Sequence, residues 1–178
     1  ATFFVTGSNP EYYYLIKEAY DRGHTIGLHT YSHVYSDLYS SVDAYFADLN
    51  GIAEIVRSQI GYVPCFMRFP GGSSNYVSHD YCEGIMSVLV NMVQEQGYQY
   101  YDWNASTGDG DAGLMPEELA VNGIQCDYPN IIHLMHDGSG NAATVEALPS
   151  IIEHYFSLGY EFRGIDRETF YCHGPVKN

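Results

Sequence analysis

The chain has 178 residues, 46% of them hydrophobic and 16% charged, which excludes a disordered chain and suits one domain spanning 1–178. Against 22 acidic residues stand 7 basic ones, a formal net charge of −15. So few cations cannot neutralise a row of phosphates, so nucleic acid and anionic membrane surfaces are excluded as partners, and no apolar run is long enough for membrane insertion.

In chain order the pattern alternates strand and helix. Residues 2–5, Thr-Phe-Phe-Val, read as a strand already underway, which leads us to expect a start inside a domain. Asn9 and Pro10 suit the cap and first turn of a helix ending near Arg22–Gly23. Residues 25–28 form the next strand. A helix follows over 41–59, its apolar positions Val42, Tyr45, Phe46, Leu49, Ile52, Ile55 and Val56 falling on one face and Gly61 closing it. Then come a strand at 66–68, a helix at 81–96, a strand at 99–102, a short helix at 116–122 and a strand at 131–136. A helix over 144–158 and a strand at 160–163 complete the series. Such an order predicts an α/β fold with a mostly parallel sheet, open or closed into a barrel.

Four of these strands run directly into titratable side chains: His29 and His33, Arg68, Asp102 beside Trp103, and His136 beside Asp137. In β/α folds the carboxyl ends of the strands converge on one face, where sites are built. Two imidazoles four residues apart suit zinc or a similar ion, which would still want a third ligand. Arg68 can hold a carboxylate in a fork, and the glycines of Arg68-Phe69-Pro70-Gly71-Gly72 let backbone N–H groups approach a developing oxyanion. Strand alternation puts Leu134 and His136 on one face, an acid beside an apolar surface the size of a methyl group. His24, His79, His133, His154 and His173 read as structural or surface residues. The cysteines Cys65, Cys82, Cys126 and Cys172 lie too far apart for a zinc knuckle and leave two disulfides, one, or four thiols open.

Taken in order, His29-Thr30-Tyr31-Ser32-His33, Arg68-Phe69-Pro70-Gly71-Gly72, Tyr101-Asp102-Trp103-Asn104 and Leu134-Met135-His136-Asp137 resemble the motifs of the polysaccharide deacetylase family, carbohydrate esterase family 4. Ala1-Thr2-Phe3-Phe4-Val5 and Glu146-Ala147-Leu148-Pro149 are similar to its Gram-positive bacterial branch. The resemblance implies a distorted (β/α) barrel of the NodB type. It also implies one divalent metal ion on His29 and His33, zinc by preference, with cobalt, nickel or manganese as substitutes. Arg68 and Asp102 would stand behind the reacting groups, with Asp102 tuning His136 as general acid. Gly71 would offer its N–H to the oxyanion, and Trp103 and Leu134 would line the acetyl pocket. The implied partner is an acetylated polysaccharide or oligosaccharide outside the cell or in the bacterial cell wall. N-acetylglucosamine of peptidoglycan comes first, then chitin-type oligomers, with O-acetylated xylan as the ester alternative.

Family members also carry an earlier Thr-Phe-Asp-Asp-Gly motif, whose aspartates supply the base and the third metal ligand; no Asp-Asp pair occurs in these 178 residues. The resemblance therefore predicts an N-terminally incomplete barrel lacking its first strand, and self-association across the uncovered edge. Asp109, Asp111 and Asp137 are the substitute carboxylates that the sequence offers. A sugar-binding member without turnover is the alternative function.

Overall fold

The computed structural model of the protein describes residues 1–111 and 113–178. These form two compact units, one made of residues 1–102 and 164–178, the other of residues 103–163.

The first unit is built on four parallel strands, β1 (Thr2–Val5), β2 (Thr25–Leu28), β3 (Phe66–Met67) and β4 (Gln99–Tyr100), hydrogen-bonded in the order β1-β2-β3-β4. Residues pair from Thr2 with Thr25 to Val5 with Leu28, and from Phe66 with Gln99 to Met67 with Tyr100. Parallel neighbours need long crossovers, and helices α1 (Tyr14–Asp21), the single turn α2 (Tyr35–Leu38), α3 (Val42–Ile60) and α4 (Ile85–Glu95) lie in them. Gly27 is required in β2 because a β-carbon there would stand 2.5 Å from the Phe4 ring.

Helix α3 forms as its pattern predicts. The Ser41 hydroxyl accepts from Ala44 N at 3.1 Å, and Gly61 closes the helix at φ 87°. Its buried face, Tyr45, Phe46, Leu49, Ile52, Ala53 and Val56, packs in one apolar core with Ile26, Leu28, Met67, Leu89 and Val93. Helix α4 starts later than the predicted residue 81, because Gly84 turns left-handed at φ 78° behind the 3-10 turn Val77–Asp80. Its first turn is satisfied from afar: Asn178 accepts from Gly84 N at 2.6 Å with its side chain and from Ser87 N at 2.8 Å with its carbonyl.

The second unit holds two parallel two-residue strands, β5 (Ala105–Ser106) and β6 (His133–Leu134), with helices α5 (Pro116–Gly123) and α6 (Ala142–Ser157). Its core is Leu119, Ala147, Ile151 and Tyr155. A β-carbon at Gly123 would stand 2.5 Å from Ile151 Cδ1, so glycine is what lets α5 and α6 approach.

Two expectations are corrected here. Residues 160–163 are irregular rather than a strand, with Phe162 54% exposed, and the strand predicted at 131–136 shrinks to His133–Leu134. Strand β5 was not predicted at all. All four cysteines are half-buried free thiols. Among the described residues no helix is long and apolar enough to cross a membrane.

Candidate active site

In the first unit the chain leaves β2 and turns sharply through the histidine motif. Thr30 (φ 72°) and His33 (φ 56°) both take the left-handed conformation, which costs a residue with a β-carbon about 1–2 kcal/mol. Helix α3 offsets that strain: the Asp48 carboxylate accepts from Tyr31 N at 2.5 Å and from Ser32 N at 3.1 Å. Gly7 N donates to Tyr31 O at 2.9 Å from the other side. The bend brings the His29 and His33 rings to 4.9 Å between centroids. His29 Nδ1 lies 2.9 Å from the Arg68 carbonyl oxygen, an acceptor only, so Nδ1 carries the proton and Nε2 the lone pair. That tautomer is the one a metal-ligating histidine uses. The two imidazoles therefore fit a zinc-like ion as far as they go. Among the described residues, however, no group of three His, Cys, Asp or Glu side chains gathers to hold one.

Arg68 follows β3 and is 8% exposed. Its Nε donates to the Tyr101 carbonyl at 2.9 Å and its Nη2 to the Asp102 carbonyl at 3.2 Å, while the guanidinium covers the Phe4 ring at 4.3 Å. Burial pushes its pKa down to about 10, against the opposing pull of the Asp102 carboxylate. Gly71 (φ 75°) and Gly72 (φ 79°) form the turn beyond, where a side chain would be strained.

Asp102, buried at the end of β4, is the residue whose expected role changes. Its carboxylate accepts from Ser73 N at 2.8 Å, from the Ser73 hydroxyl, and from Gly174 N at 2.7 Å. It ties the glycine turn to the returning segment 164–178 and is not the carboxylate that meets the imidazole of His136.

That carboxylate is Asp109, in the second unit. Asp109 Oδ1 is 2.9 Å from His136 Nδ1, and its Oδ2 accepts from His136 N at 2.7 Å and from the Thr144 hydroxyl at 2.9 Å. The Asp109 side chain is 1% exposed and the His136 side chain 47%. Burial alone would raise the Asp109 carboxyl, but the hydrogen bonds from His136 and Thr144 outweigh it and hold the group below its usual value. Nδ1 therefore donates to the carboxylate, and proton exchange falls to Nε2. The sequence offered Asp109 as a stand-in metal ligand; its position after β5 was the missing signal for its place on His136.

Leu134 lies at the end of β6 and Trp103 just before β5, both half-buried. A cavity of about 170 Å³ in this unit reaches Asp109, Asp111, Leu114, Leu119, Asn141 and Thr144, and neither Trp103 nor Leu134 lines it. His133 Nε2 sits 2.9 Å from the Gly123 carbonyl, a structural contact as expected. Asp137 is exposed.

Comparison with known proteins shows the family and the fold. A model of the polysaccharide deacetylase family matches residues 1–85. A curated peptidoglycan-N-acetylglucosamine deacetylase of Bacillus cereus is 30% identical over 183 residues, covering 99% of this chain and 62% of that protein. The chain thus spans less than two thirds of that relative's length. The catalytic domain of peptidoglycan N-acetylglucosamine deacetylase from Eubacterium rectale superimposes with a TM-score of 0.95 at 39% identity, over 100% of this chain and 81% of that one. The polysaccharide deacetylase Bc1974 from Bacillus cereus gives a TM-score of 0.83 at 28% identity, over 97% and 82%.

Proposed function

The chain belongs to the polysaccharide deacetylase family, and we propose that it hydrolyses acetyl groups from N-acetylglucosamine units, in peptidoglycan first and in chitin-type oligomers second. The observation that carries this reading is the His136–Asp109 pair. A buried carboxylate on Nδ1 favours the imidazolium, on a side chain that is 47% exposed and would pass its proton through Nε2. Breaking an amide requires that proton, because the amine leaves only when its nitrogen is protonated as the C–N bond breaks. The same group would serve an ester, so O-acetylated xylan remains the alternative substrate.

Each unit has its own part in this chemistry. In the first, His29 and His33 would hold a divalent ion, zinc by the nature of its nitrogen ligands. Such an ion would supply activation of water and polarisation of the acetyl carbonyl. The Gly71 N–H would donate to the oxygen that becomes negative, and Arg68 and Asp102 fix the backbone on either side of the turn. In the second, His136 would protonate the leaving nitrogen, and Leu134 and Trp103 would offer apolar surface to the methyl group. The base is assigned to no residue of this chain. A peptidoglycan substrate places the work outside the cell or in its wall.

One observation favours a second reading, sugar binding without turnover: among the described residues only the two histidines are offered to the ion. Incubating the chain plus zinc with N-acetylated chito-oligosaccharides, peptidoglycan fragments and acetylated xylan separates these readings. Acetate from the first two supports the amide hydrolase, acetate from xylan alone supports the esterase, and binding with no acetate supports the non-catalytic protein.

A further inference from the structure

The Pro70–Gly71 peptide is held from one side and overhung from the other. Tyr39, fully buried, donates its hydroxyl to the Pro70 carbonyl at 2.7 Å. The peptide is trans, so the Gly71 N–H points away from that carbonyl, and among the described residues it meets no acceptor. Tyr35, the first residue of α2, stands over the turn. Its ring meets Tyr39 edge-on at 5.6 Å between centroids and lies 5.7 Å from the His33 ring. Its hydroxyl oxygen lies 2.8 Å from the point where a β-carbon on Gly71 would stand. A side chain at position 71 and this hydroxyl would compete for one space, and glycine leaves it to Tyr35.

Nothing among the described residues hydrogen-bonds the Tyr35 hydroxyl. Phenylalanine would fill the same volume, so what the tyrosine adds over the turn is a hydrogen-bonding group and not packing. Resting on the deacetylase reading above, we propose that the Tyr35 hydroxyl donates a hydrogen bond to the oxygen of the acetyl carbonyl, as a second donor beside the Gly71 N–H. Two aromatic neighbours hold its ring, so the donor is placed before substrate arrives.

The test is Tyr35→Phe, which removes one oxygen atom and keeps the ring. With acetate release as the readout, kcat should fall roughly 100-fold while KM and the melting temperature hold. Independently of turnover, the ¹⁵N-labelled chain is titrated with sodium acetate, whose carboxylate mimics the negative oxygen. The Gly71 amide should shift, and Tyr35→Phe should weaken acetate binding roughly threefold to tenfold. Equal acetate affinity in the variant, or a Gly71 signal that acetate leaves unmoved, overturns the proposal, as does an unchanged kcat. If the unmodified chain releases no acetate, the deacetylase reading fails by itself, and the titration still decides the role of Tyr35.

Discussion

Asp109 grips His136 at two points, Oδ1 meeting the ring Nδ1 at 2.9 Å and Oδ2 accepting the backbone N–H at 2.7 Å. The double contact fixes both the rotation of the ring and the tautomer it presents, and Thr144 holds the carboxylate from behind at 2.9 Å. A free carboxylate would align one bond; this arrangement aligns the whole residue.

The first prediction separates Asp109 from Asp102. Asp109→Asn removes the negative charge that favours the imidazolium, so the alkaline limb of the pH–rate profile should move to lower pH and kcat should fall at least about tenfold. Asp102→Asn should leave that limb in place and instead lower the melting temperature, because it loosens the bonds to Ser73 and Gly174. A shifted limb in Asp102→Asn with none in Asp109→Asn would reverse the assignment.

Acid stability follows from the same carboxyl. Its folded pKa is depressed, so its stabilisation is present above the unfolded value, near 3.8, and is lost as pH falls through the folded one. Thermal melts of the parent chain and Asp109→Asn should differ most at neutral pH and draw together below about pH 4. A gap that widens on acidification contradicts the direction of the shift.

The histidine turn depends on Asp48. Asp48→Ala leaves the Tyr31 and Ser32 amides without their acceptor and releases a loop that two left-handed residues strain. Zinc affinity, measured by competition with a chromophoric chelator, should drop about 10- to 100-fold, as when other supports of metal-ligating histidines are removed. Affinity equal to that of the parent chain would show that α3 does not hold the pair.

Gly71→Ala should destabilise the fold by about 1–2 kcal/mol, since φ 75° suits glycine and the new carbon would meet the Tyr35 hydroxyl. Chemical denaturation measures the loss, and a variant as stable as the parent would mean that the turn relaxes freely.

How much of this was legible in the sequence depends on the range of the forces involved. Helix α3 could be read because cap, apolar spacing and closing glycine all lie within one segment. The histidine pair was equally local, with both rings on one short turn. Asp109 was misplaced because β5 is two residues long and leaves no alternation to detect, so the carboxylate that follows it looked like part of a glycine-rich loop. Asp102 was misread for the opposite reason: its partners, Ser73 and Gly174, are 29 and 72 positions away, and no pattern near residue 102 announces them. The late start of α4 follows from the left-handed turn at Gly84, and the cap on its first turn comes from Asn178, far beyond any local pattern. The hydroxyls of Tyr35 and Tyr39 were lost among 18 tyrosines until the turn at Gly71 showed what they face.

The central claim is that His136 protonates the leaving group in metal-assisted deacetylation. The most direct measurement is acetate release from an N-acetylated chito-oligosaccharide by the zinc-supplemented chain and by His136→Ala, each with and without chelator. The account predicts release by the parent chain, loss with chelator, and a fall of roughly 100-fold or more in His136→Ala. Release that chelator and the His136 substitution both leave untouched would contradict it.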